Sequence, residues 1–464
     1  MKEKLVVIGN GMSGLRTIED LLEINKDKYE IIIYGEEPHV NYNRIMLSYI
    51  LSQEKTFEDT IINHQSWYEQ NSITLHKGDK VISIDKHNKT IKSESGKIES
   101  YDKLLIATGS TAFVPKTTGS ELENVIAFRT KADVDAIIST IRKDKTAVVV
   151  GGGLLGLEAA YGIAMHGIKT ILVHRSGSIL SQQLDSTGGK LLRKNLEKYG
   201  IEFKLNTTIK EISGDGIVEK VEFTDGVSVE SNLVVFATGI IPNTALAIDA
   251  QLDTKKGIIV DDFLKTSDDS IFAIGECVEH NGNTYGLVAP LYEQAKVLAK
   301  KLANVTTPGY EGSTLSTRLK ISGVDLFSAG DYLGDETTEN LILLDEKIGI
   351  YKKLVIYDNK IIGMVLYGDT ADASWYLKLL KEHTDISDLR TKILFGKSAL
   401  SGDSGHGGND INSMSDDEEV CGCNGVCKGD IVTAIKEKDL KSLSDVKSCT
   451  KAGASCGSCL GLVE

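Results

Sequence analysis

Apolar positions along the chain fall into a short run, a glycine turn and a helical stripe, and the same order then recurs. Lys4–Ile8 is an apolar strand, Leu15, Ile18, Leu21 and Leu22 follow at helical spacing, and Tyr29–Tyr34 is a second strand. A switch from an extended apolar run to period 3.6 and back predicts a β-α-β unit. Thr146–Val150, a helix through about Met165 and Thr170–Val173 predict a second such unit. Two more apolar strands, Tyr101–Gly109 and Leu233–Gly239, share the exit Ala-Thr-Gly. A duplicated unit with a duplicated exit predicts a repeat of whole domains. Alternating strands at Leu341–Leu344, Lys353–Tyr357 and Lys360–Leu366 then occupy a segment without glycine turns. Lys397–Glu419 is rich in Gly, Ser, Asp and Asn and has no sustained apolar period, which predicts a flexible linker. The last stretch, about 45 residues, holds little material for a core and needs a metal or similar staple.

The two turns carry chemistry. Gly9-Asn10-Gly11-Met12-Ser13-Gly14 opens the first unit, and Gly151-Gly152-Gly153-Leu154-Leu155-Gly156 repeats the device 142 residues later. Such glycines let the backbone approach a pyrophosphate, whose charge the helix N-terminus stabilises. Glu36, 22 residues beyond Gly14 at a strand end, suits ribose hydroxyls. The first turn therefore predicts a bound dinucleotide. The second lacks the acid and reads His174-Arg175 instead. Arg175 tilts the choice slightly toward NADPH, yet both residues read equally well as solvated, so NADH and NADPH stay open. Glu158, two residues into the helix, either faces a nicotinamide or complements the helix N-terminus. Ser270–Glu276 is an apolar strand ending in Gly275-Glu276 before a helix with Gln294, an arrangement suited to a flavin. Taken alone it reads better as a buried strand before a capped helix.

Length and charge narrow the classes. A chain of 464 residues exceeds one core and predicts two or three domains with an appendage. The net charge of −14 argues against nucleic acid and against an acidic membrane surface. No apolar leader precedes the first strand, so no secretory signal is expected. Seven cysteines, all but Cys277 near the C-terminus, point to a reducing compartment, the cytoplasm, and to a metal site over disulfides. Cys421-x-Cys423 and Cys456-x-x-Cys459 supply four thiolates, separated by 32 residues. Four thiolates hold a [2Fe-2S] cluster and would also satisfy zinc, but the spacing departs from the paired knuckles of common zinc ribbons. Cys277, Cys427 and Cys449 read as ordinary small residues. No cysteine lies in Tyr42–Ile50, which excludes a dithiol or peroxidatic cysteine after the first helix.

The order of glycine turn, two Ala-Thr-Gly exits and Gly-Glu strand resembles the flavoprotein reductases with two dinucleotide-binding domains. Glu36-Glu37-Pro38, Tyr42–Ser48, Gln183-Leu184-Asp185, Ile274–His280, Tyr285–Ala295, Cys421–Gly429 and Ser455–Cys459 are similar to the large subunits of NAD(P)H-dependent assimilatory nitrite reductases. They are equally similar to the electron-transfer subunits of assimilatory nitrate reductases, and the resemblance covers nearly the whole chain. It implies an α/β fold with two doubly wound domains, a discontinuous FAD domain (1–115 and 242–310) and an NAD(P) domain (116–241). A mixed α+β interface domain (311–395), the linker (396–419) and a bacterioferritin-associated ferredoxin-like [2Fe-2S] module (420–464) follow. It implies FAD contacts at Gly9, Gly11, Gly14, Glu36, Arg44, Thr108, Gly109, Gly275 and Glu276. It implies NAD(P)H contacts at Gly151, Gly153, Gly156 and Glu158, and cluster ligation by Cys421, Cys423, Cys456 and Cys459, in the spacing of that module.

Electrons would run from NADH or NADPH through FAD and the cluster to a separate acceptor protein, a nitrite or nitrate reductase subunit. No acid, base or nucleophile is required for that route, and a homodimer is compatible with it. Tyr49 stands where some relatives carry a lysine that would pair with Glu158. The sequence lacks the four further cysteines of a [4Fe-4S]–sirohaem domain, so nitrite reduction in the family's manner is not expected of it. Two other readings stand beside this one. One is a ferredoxin or rubredoxin reductase, or an oxidase using O2. The other is a non-catalytic iron–sulfur redox sensor.

Overall fold

The computed structural model describes residues 2–319, 321–401, 414–422, 424–454, 457 and 459–464. The chain divides into two compact units, one of Met1–Arg44, Thr56–Thr111 and Ile240–Ser313, the other of Ile45–Lys55, Ala112–Gly239 and Thr314–Glu464.

The first unit is built on an all-parallel five-stranded sheet. Its order is Ile271–Ala273, Lys103–Ile106, Glu3–Ile8, Tyr29–Gly35, Thr74–Lys77. Leu5, Val6 and Val7 in the central strand are fully buried, because a parallel strand is covered on both faces and so reads as an unbroken apolar run. Helix Met12–Ile24 turns Leu15, Ile18 and Leu21 into the core and packs against helix Val288–Leu302. The expected strands at 101–109 and 270–276 are shorter than their apolar runs. Their Thr108-Gly109 and Gly275-Glu276 ends leave the sheet as turns beyond Ile106 and Ala273.

The second unit repeats the plan. Its parallel sheet runs Ile201–Leu205, Lys169–His174, Thr146–Val150, Leu233–Phe236, Val125–Ala127. Helix Leu154–Ala164 lies between strands Thr146–Val150 and Lys169–His174 in sequence. Glu158 is its fifth residue and 3% exposed, past the first turn where helix-end charge matters most. A five-stranded antiparallel sheet follows, in the order Ser316–Arg318, Leu326–Gly330, Lys360–Tyr367, Ile350–Tyr357, Glu339–Asp345. Helix Ala373–Lys381 covers it through Tyr376, Leu377 and Leu380. The short strands 316–318 and 326–330 carry too few alternations to read from sequence.

Residues 45–55 belong to this second unit. Their helix Leu47–Leu51 packs on Leu154–Ala164, where a side chain at Gly162 would come within 2.8 Å of Leu51 Cγ. His166 Nε2 lies 2.7 Å from the Leu51 carbonyl and fastens the other end. The C-terminal module has strands Glu419–Cys421 and Val426–Cys427 and helices Lys428–Lys438, Leu443–Thr450 and Leu460–Val463. Val420, Val426, Ile431, Val446 and Ala452 make its small core. Most of the expected linker, 402–413, lies outside the described residues.

Candidate cofactor sites

Each glycine turn is shaped by a carbonyl about a hundred residues away in sequence. Gly9 has φ of 112°, and a Cβ there would stand 2.2 Å from the Ala107 carbonyl oxygen. Gly151, at φ 123°, meets the Ala237 oxygen at 2.3 Å in the same way. The Ala-Thr-Gly exit is thus the wall against which the first glycine of each turn closes, which explains why turn and exit recur together. The third glycines are also internal to the fold. A Cβ on Gly14 would lie 2.9 Å from Ala107 Cβ, and one on Gly156 1.8 Å from the Gly151 oxygen.

The middle glycines differ. Gly11 and Gly153 cap their helices in extended conformation, with nothing within 4 Å of an added Cβ. No protein atom requires glycine at either place, so the requirement points to a group outside the chain. Both positions sit where unpaired helix N–H groups collect, the setting for a phosphate. The residues therefore fit a dinucleotide at each turn.

Around the first turn, Glu36 is exposed and paired with Lys80 at 2.7 Å. Arg44 Nη2 reaches Glu37 Oε1 at 2.5 Å, and the Tyr42 hydroxyl donates to Glu37 Oε2 at 2.8 Å. Burial works against the Arg44 charge, and the fields of Tyr42, Glu37 and Glu276 more than offset it, so its pKa is raised. Thr108 and Gly109 are pinned by Asn243, whose Nδ2 donates to the Thr108 oxygen at 2.8 Å and whose N–H donates to the Gly109 oxygen at 2.9 Å. Ser110 Oγ donates to Glu276 Oε2 at 2.6 Å, and Gly275 abuts Ser13, whose Oγ would be 2.4 Å from an added Cβ. Gly9, Gly14, Thr108, Gly109, Gly275 and Glu276 are thus joined in one neighbourhood. Gln294 accepts from the Gly275 N–H at 3.3 Å, while its fully buried Nε2 has no partner among the described residues.

Several contributors escape sequence reading. Asn10 accepts from the Tyr68 hydroxyl at 2.9 Å through Oδ1, and its carbonyl accepts from Asn41 Nδ2 at 3.0 Å. Tyr68 is fully buried, so this link fixes the first turn from within. In the second unit, His174 Nδ1 accepts from the Gly152 N–H at 3.1 Å, and an added Cβ on Gly152 would strike the ring at 2.7 Å. Burial, then the Arg175 charge, lowers the His174 pKa, which keeps the ring neutral and accepting. Arg175 is exposed. An asparagine inside the first turn and a histidine at the strand end were the only sequence signals for these links.

In the module, Cys421 and Cys459 are buried and hydrogen-bonded, while Cys423 and Cys456 lie outside the described residues. The Cys421 thiol is brought down to about 6, chiefly by the bond with Cys459 and secondarily by Asn424. Asn424 Nδ2 stands 3.4 Å from Cys421 Sγ and 2.9 Å from the Lys451 oxygen. Two buried, hydrogen-bonded cysteines, one of them held toward thiolate, fit soft-metal ligation. Cys277 is different: fully buried, it donates to the Ile274 oxygen at 3.2 Å and its pKa is raised by burial, as suits a packing residue. Cys449 accepts from Lys438 Nζ at 3.2 Å.

The chain belongs to the pyridine nucleotide-disulphide oxidoreductase family, whose model matches residues 3–298. The rubredoxin NAD+ reductase C-terminal domain matches 316–384, and the BFD-like [2Fe-2S] binding domain matches 419–464. FAD, NAD(P)H and a [2Fe-2S] cluster are accordingly its cofactor set. Nitrite reductase [NAD(P)H] of Bacillus subtilis is 46% identical over 464 residues, all of this chain and 57% of that protein. The assimilatory nitrate reductase electron transfer subunit of the same organism is 42% identical over 463 residues, all of this chain and 59% of that protein. The chain thus spans somewhat over half the length of these relatives. The crystal structure of NADH:rubredoxin oxidoreductase from Clostridium acetobutylicum superposes with a TM-score of 0.69 at 25% identity, covering 87% of this chain and all of that one. No helix among the described residues is long and apolar enough to cross a membrane.

Proposed function

We propose that this chain draws hydride from NADH or NADPH and passes single electrons to a separate acceptor protein of nitrite or nitrate reduction. One observation carries the reading: two glycine turns left open at their middle residues share a chain with a buried, hydrogen-bonded cysteine pair. When bound, FAD supplies hydride acceptance and stepwise release of electrons, and [2Fe-2S] supplies one-electron carriage.

The residues bind and orient. The Gly9–Gly14 turn and the N-terminus of helix Met12–Ile24 would hold the FAD pyrophosphate, with Glu36 on the ribose. Arg44, Thr108, Gly109, Gly275 and Glu276 would hold the rest of the flavin. Gly151, Gly153 and Gly156 would take the nicotinamide dinucleotide, and buried Glu158 would orient its reactive end. Cys421, Cys423, Cys456 and Cys459 would ligate the cluster. The domain limits inferred from sequence (FAD 1–115 and 242–310, NAD(P) 116–241, interface 311–395, cluster module 420–464) belong to the same reading. Free thiols suit the cytoplasm.

The test uses the full chain and Cys421→Ser. Both proteins should show flavin bleaching with NADH or NADPH and should reduce small dyes. Only the wild type should reduce a nitrite or nitrate reductase partner. Partner reduction by Cys421→Ser at the wild-type rate would remove the cluster from the route, and no bleaching in either protein would remove the nicotinamide assignment. A second reading, reduction of rubredoxin, is favoured by the match over 316–384 and is checked by offering rubredoxin as acceptor.

A further inference from the structure

We propose that the cluster module receives electrons in a docked position held by three lysine–carboxylate pairs, and that releasing this latch frees it for the acceptor protein. The docking part rests on ion pairs and packing, and the electron-transfer part rests on the cofactor reading above.

The strand Glu419–Cys421, which leads into the module, packs on helix Ala373–Lys381. Lys378 Nζ stands 2.5 Å from Asp417 Oδ2, Lys381 Nζ 3.5 Å from Glu419 Oε2, and Lys397 Nζ 2.5 Å from Glu418 Oε2. Lys378 and Lys381 lie on helix Ala373–Lys381, Lys397 opens the stretch read as a linker, and all three carboxylates close that stretch. The segment read from sequence as a loose tether is therefore tied at both of its described ends. Later in the module, Gly457 lies between Cys456 and Cys459 in sequence. A Cβ on Gly457 would be 3.6 Å from Met46 Cε, and Met46 is only 6% exposed. Met46 follows Arg44, a proposed flavin residue, by two positions. Gly457 thus lies beside Met46, in the segment that follows Arg44 along the chain.

The latch has the strength of a reversible device. The Asp417 side chain is 70% exposed and Lys378 34%, and exposed pairs shift an equilibrium by roughly 1.4- to 5-fold each. Glu418 is the buried member, at 9%. Such contacts weaken as salt screens them. In the docked position Met46 covers Gly457, so an acceptor protein can use that face of the module only after release.

The holoprotein is compared by hydrogen exchange and by rapid-mixing spectroscopy between about 20 and 500 mM salt, where the Debye length falls from roughly 20 to roughly 4 Å. Protection of residues 373–381 and 45–47 should fall with salt. It should also fall at low salt in Lys378→Glu, by roughly 2- to 10-fold as one pair is lost and a repulsion replaces it. The double variant Lys378→Glu with Asp417→Lys should restore it. Flavin reduction by NADH or NADPH should stay unchanged throughout, while cluster reduction should slow in step with the lost protection. Protection that ignores salt and charge reversal would overturn the latch. Protection that falls without slowing cluster reduction would overturn the docked position as the loading position. Absence of any flavin reduction would instead strike the cofactor reading, leaving the exchange data to judge docking by themselves.

Discussion

Gly11→Ala separates a glycine required by a ligand from one required by the fold. Gly11 has φ of −89° and ψ of −179°, which alanine adopts without strain, and nothing lies within 4 Å of the new methyl. Reduced freedom of the unfolded chain contributes about 0.4–1 kcal/mol of stability. Alanine is a poorer helix N-cap than glycine by a similar amount, so the flavin-free protein should change by less than about 1 kcal/mol. Gly9→Ala has the opposite profile. Its φ of 112° costs about 1–3 kcal/mol and the 2.2 Å clash with the Ala107 oxygen about 1–3 more. With FAD present the order changes. A methyl where the pyrophosphate must approach costs about 1–3 kcal/mol of binding, or about 5- to 150-fold in affinity. FAD at a hundredfold over its dissociation constant adds about 2.7 kcal/mol to the wild type, and Gly11→Ala should lose about 0.9–2.4 kcal/mol of that increment. Thermal unfolding of flavin-stripped protein, with and without added FAD, reads both quantities. Wild-type FAD affinity in Gly11→Ala, or a stripped variant as unstable as Gly9→Ala, would refute the argument.

Replacing Cys421 or Cys459 singly by Ser should abolish the iron–sulfur absorbance, while Cys277→Ser and Cys449→Ser should keep it; iron and zinc analysis of anaerobically prepared protein checks the metal. His174 is held below its ordinary 6.5 by burial and by Arg175, so its support of the Gly152 N–H is complete above pH 6.5 and fades as pH falls through the lowered value. The KM for NADH or NADPH should rise on acidification below pH 6.5, and His174→Gln should flatten that rise. Burial pushes Asp20 from 3.8 up to about 6 against the pull of its Arg16 partner, 2.8 Å away. Because the folded state holds that proton more tightly, the charged carboxylate costs stability above pH 6, by at most about 3 kcal/mol, and the cost fades toward pH 4. Asp20→Asn should therefore be more stable than wild type at pH 7, with an advantage that shrinks as pH drops to 4 in denaturant titrations.

Both β-α-β units and their glycine turns were legible along the chain because the features that specify them are local: an apolar run, a turn and a helical stripe within about thirty residues. The four-cysteine pattern and the open choice between NADH and NADPH were legible for the same reason. The reason for glycine at positions 9 and 151 was not. It lies in carbonyls at Ala107 and Ala237, which the sheets bring against the turns. Ser110 meets Glu276 across 166 residues, and His174 supports Gly152 only because adjacent parallel strands place them side by side. Residues 45–55 sit within the first repeat by sequence but pack on helix Leu154–Ala164, since Gly162 leaves room for Leu51. The polar stretch before the cysteines looks unstructured by composition, yet Asp417 and Glu419 find lysines on helix Ala373–Lys381 and Glu418 finds Lys397 at the stretch's own start, partners that no periodicity in the segment announces. Local pattern specifies elements and their turns, whereas partners distant in sequence become neighbours only through packing, and at these sites those partners determine what each residue can do.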